Sequence, residues 1–240
     1  MNFDSDFVKR RRGKARLYLE KVLAPHTDAI ASRLASIVSN DEAGAGYRRS
    51  AYRLTLRGAP DLFARRSRRG GAMRFLVPDI YFGAEPRPLR ELLVTIEART
   101  RGVPLAEPMG AVVEWVAPMI YRGFFLTRAL EGMTLWDFLR RDCDSVTRGY
   151  VLDQARHAID TMHHCGLLHA DLNLHNLFVT RVGDQFTVVI LDLDKARLYS
   201  PPLSESLREA TLARLSRSAR RLDPVGRYLD DYARSRLSIA

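Results

Sequence analysis

The stretch His169-Ala170-Asp171-Leu172-Asn173-Leu174-His175-Asn176, read together with Ile190-Leu191-Asp192, decides the reading of this chain. An aspartate with an asparagine five residues later, and a second aspartate closing an apolar run downstream, is the spacing that phosphoryl transfer to a hydroxyl demands. One carboxylate must orient the attacking hydroxyl and accept its proton. A carboxamide oxygen and a second carboxylate must hold Mg²⁺ on the nucleotide phosphates. Asp171 is the candidate catalytic group, and Asn176 and Asp192 are the candidate metal ligands. Each residue alone is an ordinary turn former or helix cap. Their order, set among a helix, an apolar pair and two strands, carries the chemistry.

The elements around this stretch are legible by period. Tyr150 to Cys165 reads as a helix with Val151, Ala155, Ala158, Ile159 and Met162 inward and Gly166 as its cap. Leu167-Leu168, Leu177-Phe178-Val179 and Phe186 to Leu191 read as short strands, the last two joined through Gly183. Leu135 to Leu139 begins a short helix, and Leu203 to Leu222 an arginine-rich one. Upstream, Ala111 to Val116 and Tyr121 to Arg128 form a hairpin. Pro86 to Gly102 is a helix with Leu89, Leu92, Leu93 and Ile96 on one face. Tyr52 to Leu56 and Leu62 to Arg65 are strands about the turn Arg57-Gly58-Ala59-Pro60, and Gly70-Gly71 marks a further turn. The expected organisation is α+β. A basic helical extension occupies residues 1–44, a strand-rich lobe for the nucleotide phosphates 45–128, and a compact helical lobe with the catalytic loop 129–240.

The chain has 240 residues, 46% of them hydrophobic, enough for a sizeable core. Its net charge of +10 draws it to anions: nucleic acid, phosphorylated molecules or an acidic membrane. The charge is concentrated. Lys9, Arg10, Arg11, Arg12, Lys14 and Arg16 crowd one segment, which reads either as a solvated helix face or as an anion-docking surface. Nine arginines lie between Arg48 and Arg74 against the single acid Asp61. Few aromatics interleave these runs, so no nucleic-acid partner is expected. Two cysteines, Cys143 and Cys165, with no CxxC pair, argue against a disulfide framework or zinc site. Met1 to Asp6 are polar and acidic, so no signal segment is expected. Ala111 to Leu130 is broken by Glu114, Pro118, Arg122 and Arg128 and cannot span a bilayer.

For the nucleotide phosphates no Gly-x-Gly-x-x-Gly loop and no Val-Ala-Ile-Lys strand exists. Arg57-Gly58 is the candidate for a reduced phosphate-covering turn. Arg65 is the candidate for the missing lysine, with Glu91 on the following helix as its partner and Arg66 as its rival. Asp194 could support the metal or acceptor, or pair with Lys195 or Arg197. His175 could touch substrate or simply pack. His163 and His164 end a helix, where positive charge suits the carbonyls. Ala170 stands where protein kinases carry arginine. Only 48 residues follow Asp192, too few for an activation segment and a peptide-holding subdomain, so the expected acceptor is a small molecule or glycolipid sugar.

Together these residues resemble the lipopolysaccharide-kinase family, most of all its 3-deoxy-D-manno-octulosonic acid (Kdo) kinases. The similar pieces are His169 to Asn176, Ile190-Leu191-Asp192-Leu193-Asp194-Lys195, Arg68-Arg69-Gly70-Gly71 with Tyr81-Phe82-Gly83, Arg90-Glu91 through Gly102-Val103-Pro104, and Leu212 to Ser218. The resemblance runs from about Tyr47 to Arg221. Leu174 and Leu193 depart from the expected pattern. It implies a protein-kinase-like bilobal fold and phosphorylation of a Kdo hydroxyl, the 4-hydroxyl by family preference. ATP and Mg²⁺ are the implied cofactors, and Kdo-lipid A or a related anionic glycolipid the acceptor. The implied place is peripheral, on the anionic cytoplasmic face of a bacterial inner membrane. In such loops the histidine at the position of His169 braces backbone, so a structural role is expected of it. Two alternatives stand beside this reading: another small-molecule kinase, acting on a heptose or of the aminoglycoside or choline type, and a catalytically inactive kinase-shaped binding protein.

Overall fold

The computed structural model describes residues 1–43, 51–67 and 81–238, which divide into two compact units. The first comprises Met1–Ile96 and Glu107–Ala129, the second Glu97–Ala106 and Leu130–Ala240. The Gly70-Gly71 turn and the Arg68-Arg69-Gly70-Gly71 similarity lie outside the described residues.

The first unit holds helix α1 (Phe3–Asp6), strands β1 (Phe7–Arg12) and β2 (Ala15–Glu20), a 3-10 helix (Lys21–His26) and helix α2 (Thr27–Ala43). Then come β3 (Ala51–Leu54), β4 (Leu62–Arg66), β5 (Tyr81–Phe82), helix α3 (Arg87–Thr100, its residues from Glu97 on counted with the second unit), β6 (Pro108–Ala117) and β7 (Ile120–Arg128). The strands form one antiparallel sheet in the order β1-β2-β6-β7-β4-β3, with β5 also on β7. Period-two alternation gives the sheet two apolar faces. Leu17, Leu19, Leu62, Ala64 and Leu126 meet Leu23, Ile30 and Leu34 of the 3-10 helix and α2 on one face. Ala111 and Phe125 meet Leu92 and Ile96 of α3 on the other. Each fully buried Leu or Ile here contributes about 1.5–3 kcal/mol.

The N-terminal segment corrects the sequence reading. Residues 1–44 were expected to be a helical extension. The cationic run is instead the β1–β2 hairpin, and β2 pairs with β6 as part of the main sheet. Leu17 and Leu19, two residues apart and fully buried, share a strand face, which no helix could give them. Gly13, at φ +55, supplies the left-handed turn between the strands. Helix survives in α2, with Ile30, Leu34 and Val38 at four-residue intervals on the sheet.

The second unit holds β8 (Gly132–Thr134), α4 (Leu135–Leu139), α5 (Ser145–His164), β9 (Leu167–Leu168), β10 (Leu177–Val182), β11 (Gln185–Ile190), β12 (Arg197–Leu198), α6 (Glu205–Leu222) and α7 (Asp231–Leu237). Strands β11, β10 and β8 form a small antiparallel sheet, and β12 pairs with β9. Helix α5 packs on β11 and α7. It starts five residues before the apolar period suggests, because the Asp144 carboxylate caps it by accepting the Thr147 N–H at 2.8 Å. Its other end stops at Gly166, at φ +80 and with its N–H on the His163 carbonyl at 3.1 Å, as the sequence led us to expect.

His163 departs from its expected role as a positive charge at a helix end. It is buried, and its Nε2 has no hydrogen-bond partner among the described residues. Burial lowers its pKa to about 4, against the upward pull of Asp160 and with help from Arg208 and Arg156, so the ring is neutral at pH 7. Unfolded, the same ring titrates near 6.5 and binds its proton first. Stability from this group is therefore complete above about pH 6.5 and is lost as pH falls toward 4, by at most roughly 3 kcal/mol. Urea denaturation at about pH 7 and pH 4.5 is expected to show this loss, and His163→Phe is expected to reduce it.

Candidate active site

The candidate catalytic residues of the second unit hang on a hydrogen-bonded frame. After β9 the chain enters a loop pinned from below by Leu172 and Leu174, both fully buried. The Trp136 N–H bonds the Leu174 carbonyl at 3.3 Å, and Leu177 then starts β10. Above this apolar floor Asp171 is exposed and Asn176 half-buried. The Asp171 carbonyl accepts two side-chain donors, Asn173 Nδ2 and Asn176 Nδ2, each at 2.9 Å. Because Asn176 donates its amide nitrogen there, its Oδ1 is the atom left for a cation. Asn173 Oδ1 in turn accepts the His175 N–H at 2.9 Å. Asn173 was not among the expected site residues; its place two residues after an aspartate in a turn was the available signal for this bracing role.

The frame reaches Asp192 through its neighbour Leu191. The Leu191 N–H bonds the Asn176 carbonyl at 2.8 Å, and its own carbonyl meets His169 Nε2 at 2.9 Å. Nδ1 of the same ring accepts the Asp171 N–H at 3.1 Å. An acceptor at Nδ1 and a carbonyl at Nε2 fix the neutral tautomer protonated at Nε2. Burial lowers the pKa of this ring, with the Leu191 carbonyl opposing, which preserves that tautomer. Asp192 itself is exposed and sits at φ +63, a left-handed conformation uncommon outside glycine. One histidine thus connects the backbones of Asp171 and Leu191, and Asn176 connects to both. The donor set offered by Asn176 and Asp192 is all oxygen, which suits Mg²⁺ shared with phosphates.

In the first unit Arg65 forms an ion pair with Glu91 of α3, its Nη2 meeting both carboxylate oxygens. Glu91 is buried and Arg65 mostly so. β4 alternates, so Arg65 lies on the α3 side while Arg66, buried, lies on the opposite face with Leu62 and Ala64. That removes Arg66 as the rival partner of Glu91. Arg57 and Gly58 form a turn before β4, with Gly58 at φ +79 and a Cβ there 3.9 Å from His26. This turn adjoins the start of β4, and Arg65 lies near its end. The structure therefore does not gather Arg57 and Gly58 with the Arg65–Glu91 pair.

A family model described as the lipopolysaccharide kinase (Kdo/WaaP) family matches residues 43–233. A 3-deoxy-D-manno-octulosonic acid kinase of Xylella fastidiosa is 32% identical over 157 residues, which is 64% of this chain and 59% of that protein. One of Pasteurella multocida is 29% identical over 133 residues, 55% of this chain and 53% of that protein. The chain thus matches less than two thirds of the length of these relatives. A solved structure, WaaP in complex with acyl carrier protein, aligns over 94% of this chain and 90% of its own with a TM-score of 0.52 at 19% identity. That likeness is one of fold, and it agrees with the α+β, protein-kinase-like architecture.

Two substitutions test this geometry. His169→Phe leaves the Asp171 N–H and the Leu191 carbonyl without their buried partner, and is expected to lower stability by roughly 2–4 kcal/mol in urea denaturation. His169→Gln is expected to lose less. Arg65→Met strands the buried Glu91 carboxylate and is expected to cost about 3 kcal/mol, while Arg65→Met with Glu91→Leu regains most of that stability.

Proposed function

Because the chain belongs to the lipopolysaccharide kinase (Kdo/WaaP) family, we propose that it transfers the terminal phosphoryl group of ATP to a hydroxyl of Kdo on lipid A, with the 4-hydroxyl as the preferred acceptor. The observation that carries this reading is the frame of His169, Asn173, Asn176 and Leu191, which holds Asp171 by both its N–H and its carbonyl. A carboxylate carried on a backbone so fixed can orient an acceptor hydroxyl and take its proton as the phosphorus–oxygen bond forms. Mg²⁺, when bound, neutralises charge on the phosphates. Asn176 Oδ1 and the Asp192 carboxylate are the oxygens that would hold it. Arg65, positioned by Glu91, is assigned to the nucleotide phosphates, where a forked permanent cation suits two phosphate oxygens.

The acceptor fits the charge of the chain. Lipid A carrying Kdo is polyanionic, and a protein of net charge +10 is drawn to it and to an acidic leaflet. No helix among the described residues is long and apolar enough to cross a membrane. The proposed place of work, which the cationic surface favours, is peripheral on the cytoplasmic face of the inner membrane.

Incubation with Mg-ATP and Kdo-lipid A, followed by mass spectrometry, is expected to show one added phosphate on Kdo. Asp171→Ala is expected to lower the rate roughly 100- to 10,000-fold while ATP binding persists. ATP binding without transfer in the wild type would overturn the reading in favour of a binding protein. Transfer to a heptose but not to Kdo would reassign the acceptor.

A further inference from the structure

The β1–β2 hairpin precedes the family match, which begins at residue 43, and none of the residues assigned to phosphoryl transfer lies on it. Its strands carry Lys9, Arg10, Arg11, Arg12 and Arg16, with Lys14 at the turn, and all six are exposed. Among the described residues only Arg12 of these six is ion-paired, to Asp28. The hairpin tip lies beside β6: the Trp115 N–H bonds the Lys14 carbonyl at 3.3 Å, and the Arg16 guanidinium stands over the Trp115 ring at 6.0 Å. One residue on, β6 ends with Val116 and Ala117, and the chain turns into β7 through Pro118 and Met119. There β5 joins: Phe82 pairs with Ile120, and the Gly83 N–H bonds the Met119 carbonyl at 2.9 Å. Phe82 is 68% exposed, Met119 44% and Val116 37%.

One end of the sheet therefore presents a cationic hairpin tip beside three solvent-exposed large apolar side chains on neighbouring strand ends and the β6–β7 turn. Cations alone would suit any polyanion, and scattered exposed apolar residues are ordinary on protein surfaces. Side by side they match the boundary of an anionic bilayer, where Lys and Arg engage phosphate headgroups and short apolar tips enter the acyl margin. We infer that this end of the first unit, formed by the β1–β2 hairpin and the Phe82–Val116–Met119 tip, docks the protein on an anionic lipid bilayer. The inference deepens the membrane part of the proposed function by naming the surface that makes the contact.

The test uses the full chain and sedimentation with vesicles of phosphatidylglycerol and phosphatidylcholine against phosphatidylcholine alone. The wild type is expected to bind the anionic vesicles only. Arg11→Gln with Lys14→Gln is expected to weaken binding about 5-fold per cation removed. Phe82→Ala with Met119→Ala is expected to weaken it roughly 10-fold at unchanged charge. Thermal melts of both variants check that they remain folded, and both are expected to phosphorylate detergent-dispersed Kdo-lipid A like the wild type. Failure of the wild type to bind anionic vesicles overturns the inference while leaving the kinase reading intact. Failure of phosphoryl transfer on the dispersed acceptor, with vesicle binding intact, does the reverse. Vesicle binding unchanged in the apolar variant also overturns it, by reducing the surface to electrostatics. So does capture by an acidic protein without vesicle binding, which would make the partner a protein.

Discussion

The imidazole of His169 is the constraint on which the rest of the site depends. It accepts from the Asp171 N–H and meets the Leu191 carbonyl, joining segments 22 residues apart in sequence. The pair of contacts requires one tautomer, with the proton on Nε2 and a lone pair on Nδ1. In water an imidazole would exchange tautomers and gain a second proton near neutrality. Buried here, it pays desolvation for any charge, so the useful form is also the stable one. The neutral ring thus acts as a rigid spacer between the loop that bears Asp171 and the strand end that leads to Asp192.

The same region places Leu174 and Leu193, the two residues set apart in the sequence from the expected pattern. Leu174 and Leu193 look intrusive in a sequence otherwise made of Asp, Asn and His. In the fold both are buried, Leu174 completely, and face the apolar interior. Their burial anchors the backbone beside the polar residues that flank them. Asp192, on the other hand, lies in the left-handed region. A short side chain whose carboxylate can bond the local backbone tolerates that conformation better than most, and the Asp194 N–H lies 3.4 Å from Asp192 Oδ1. The local strain is held by the neighbours: Leu191 by its two hydrogen bonds, Leu193 and Ala196 by burial.

The second unit was legible in the sequence because its signals are local. Helix period in Val151 to Met162, the Gly166 cap and the Asp-to-Asn spacing each act within a few residues. What was missed there was short or set by a single side chain: α7 with only seven residues, and the Asp144 cap that lengthens α5. The first unit was harder. A run of six cations hid the alternation of Leu17 and Leu19, and strand pairing with β6 is a long-range event that no local pattern announces. The same reason separates two guesses about phosphate binding. Arg57-Gly58 was recognised correctly as a turn, but its separation along β4 from Arg65 comes from the sheet. Arg65 and Glu91 were paired correctly because strand alternation and helix period each put one residue on a shared face.

That pair also suits the proposed use of arginine where a lysine is usual. The contact with Glu91 engages Nη2, one of three guanidinium nitrogens. A lysine held by the same carboxylate has three rotatable donors on one nitrogen and meets each further anion as a point charge. The guanidinium is planar, carries five N–H donors and keeps its charge at any physiological pH. Anchoring one edge of that plane on buried Glu91 removes much of the rotamer freedom that binding a second anion would otherwise have to overcome. The ion pair is thus better understood as positioning than as stability, since the desolvation of a buried carboxylate offsets most of what its attraction to Arg65 contributes.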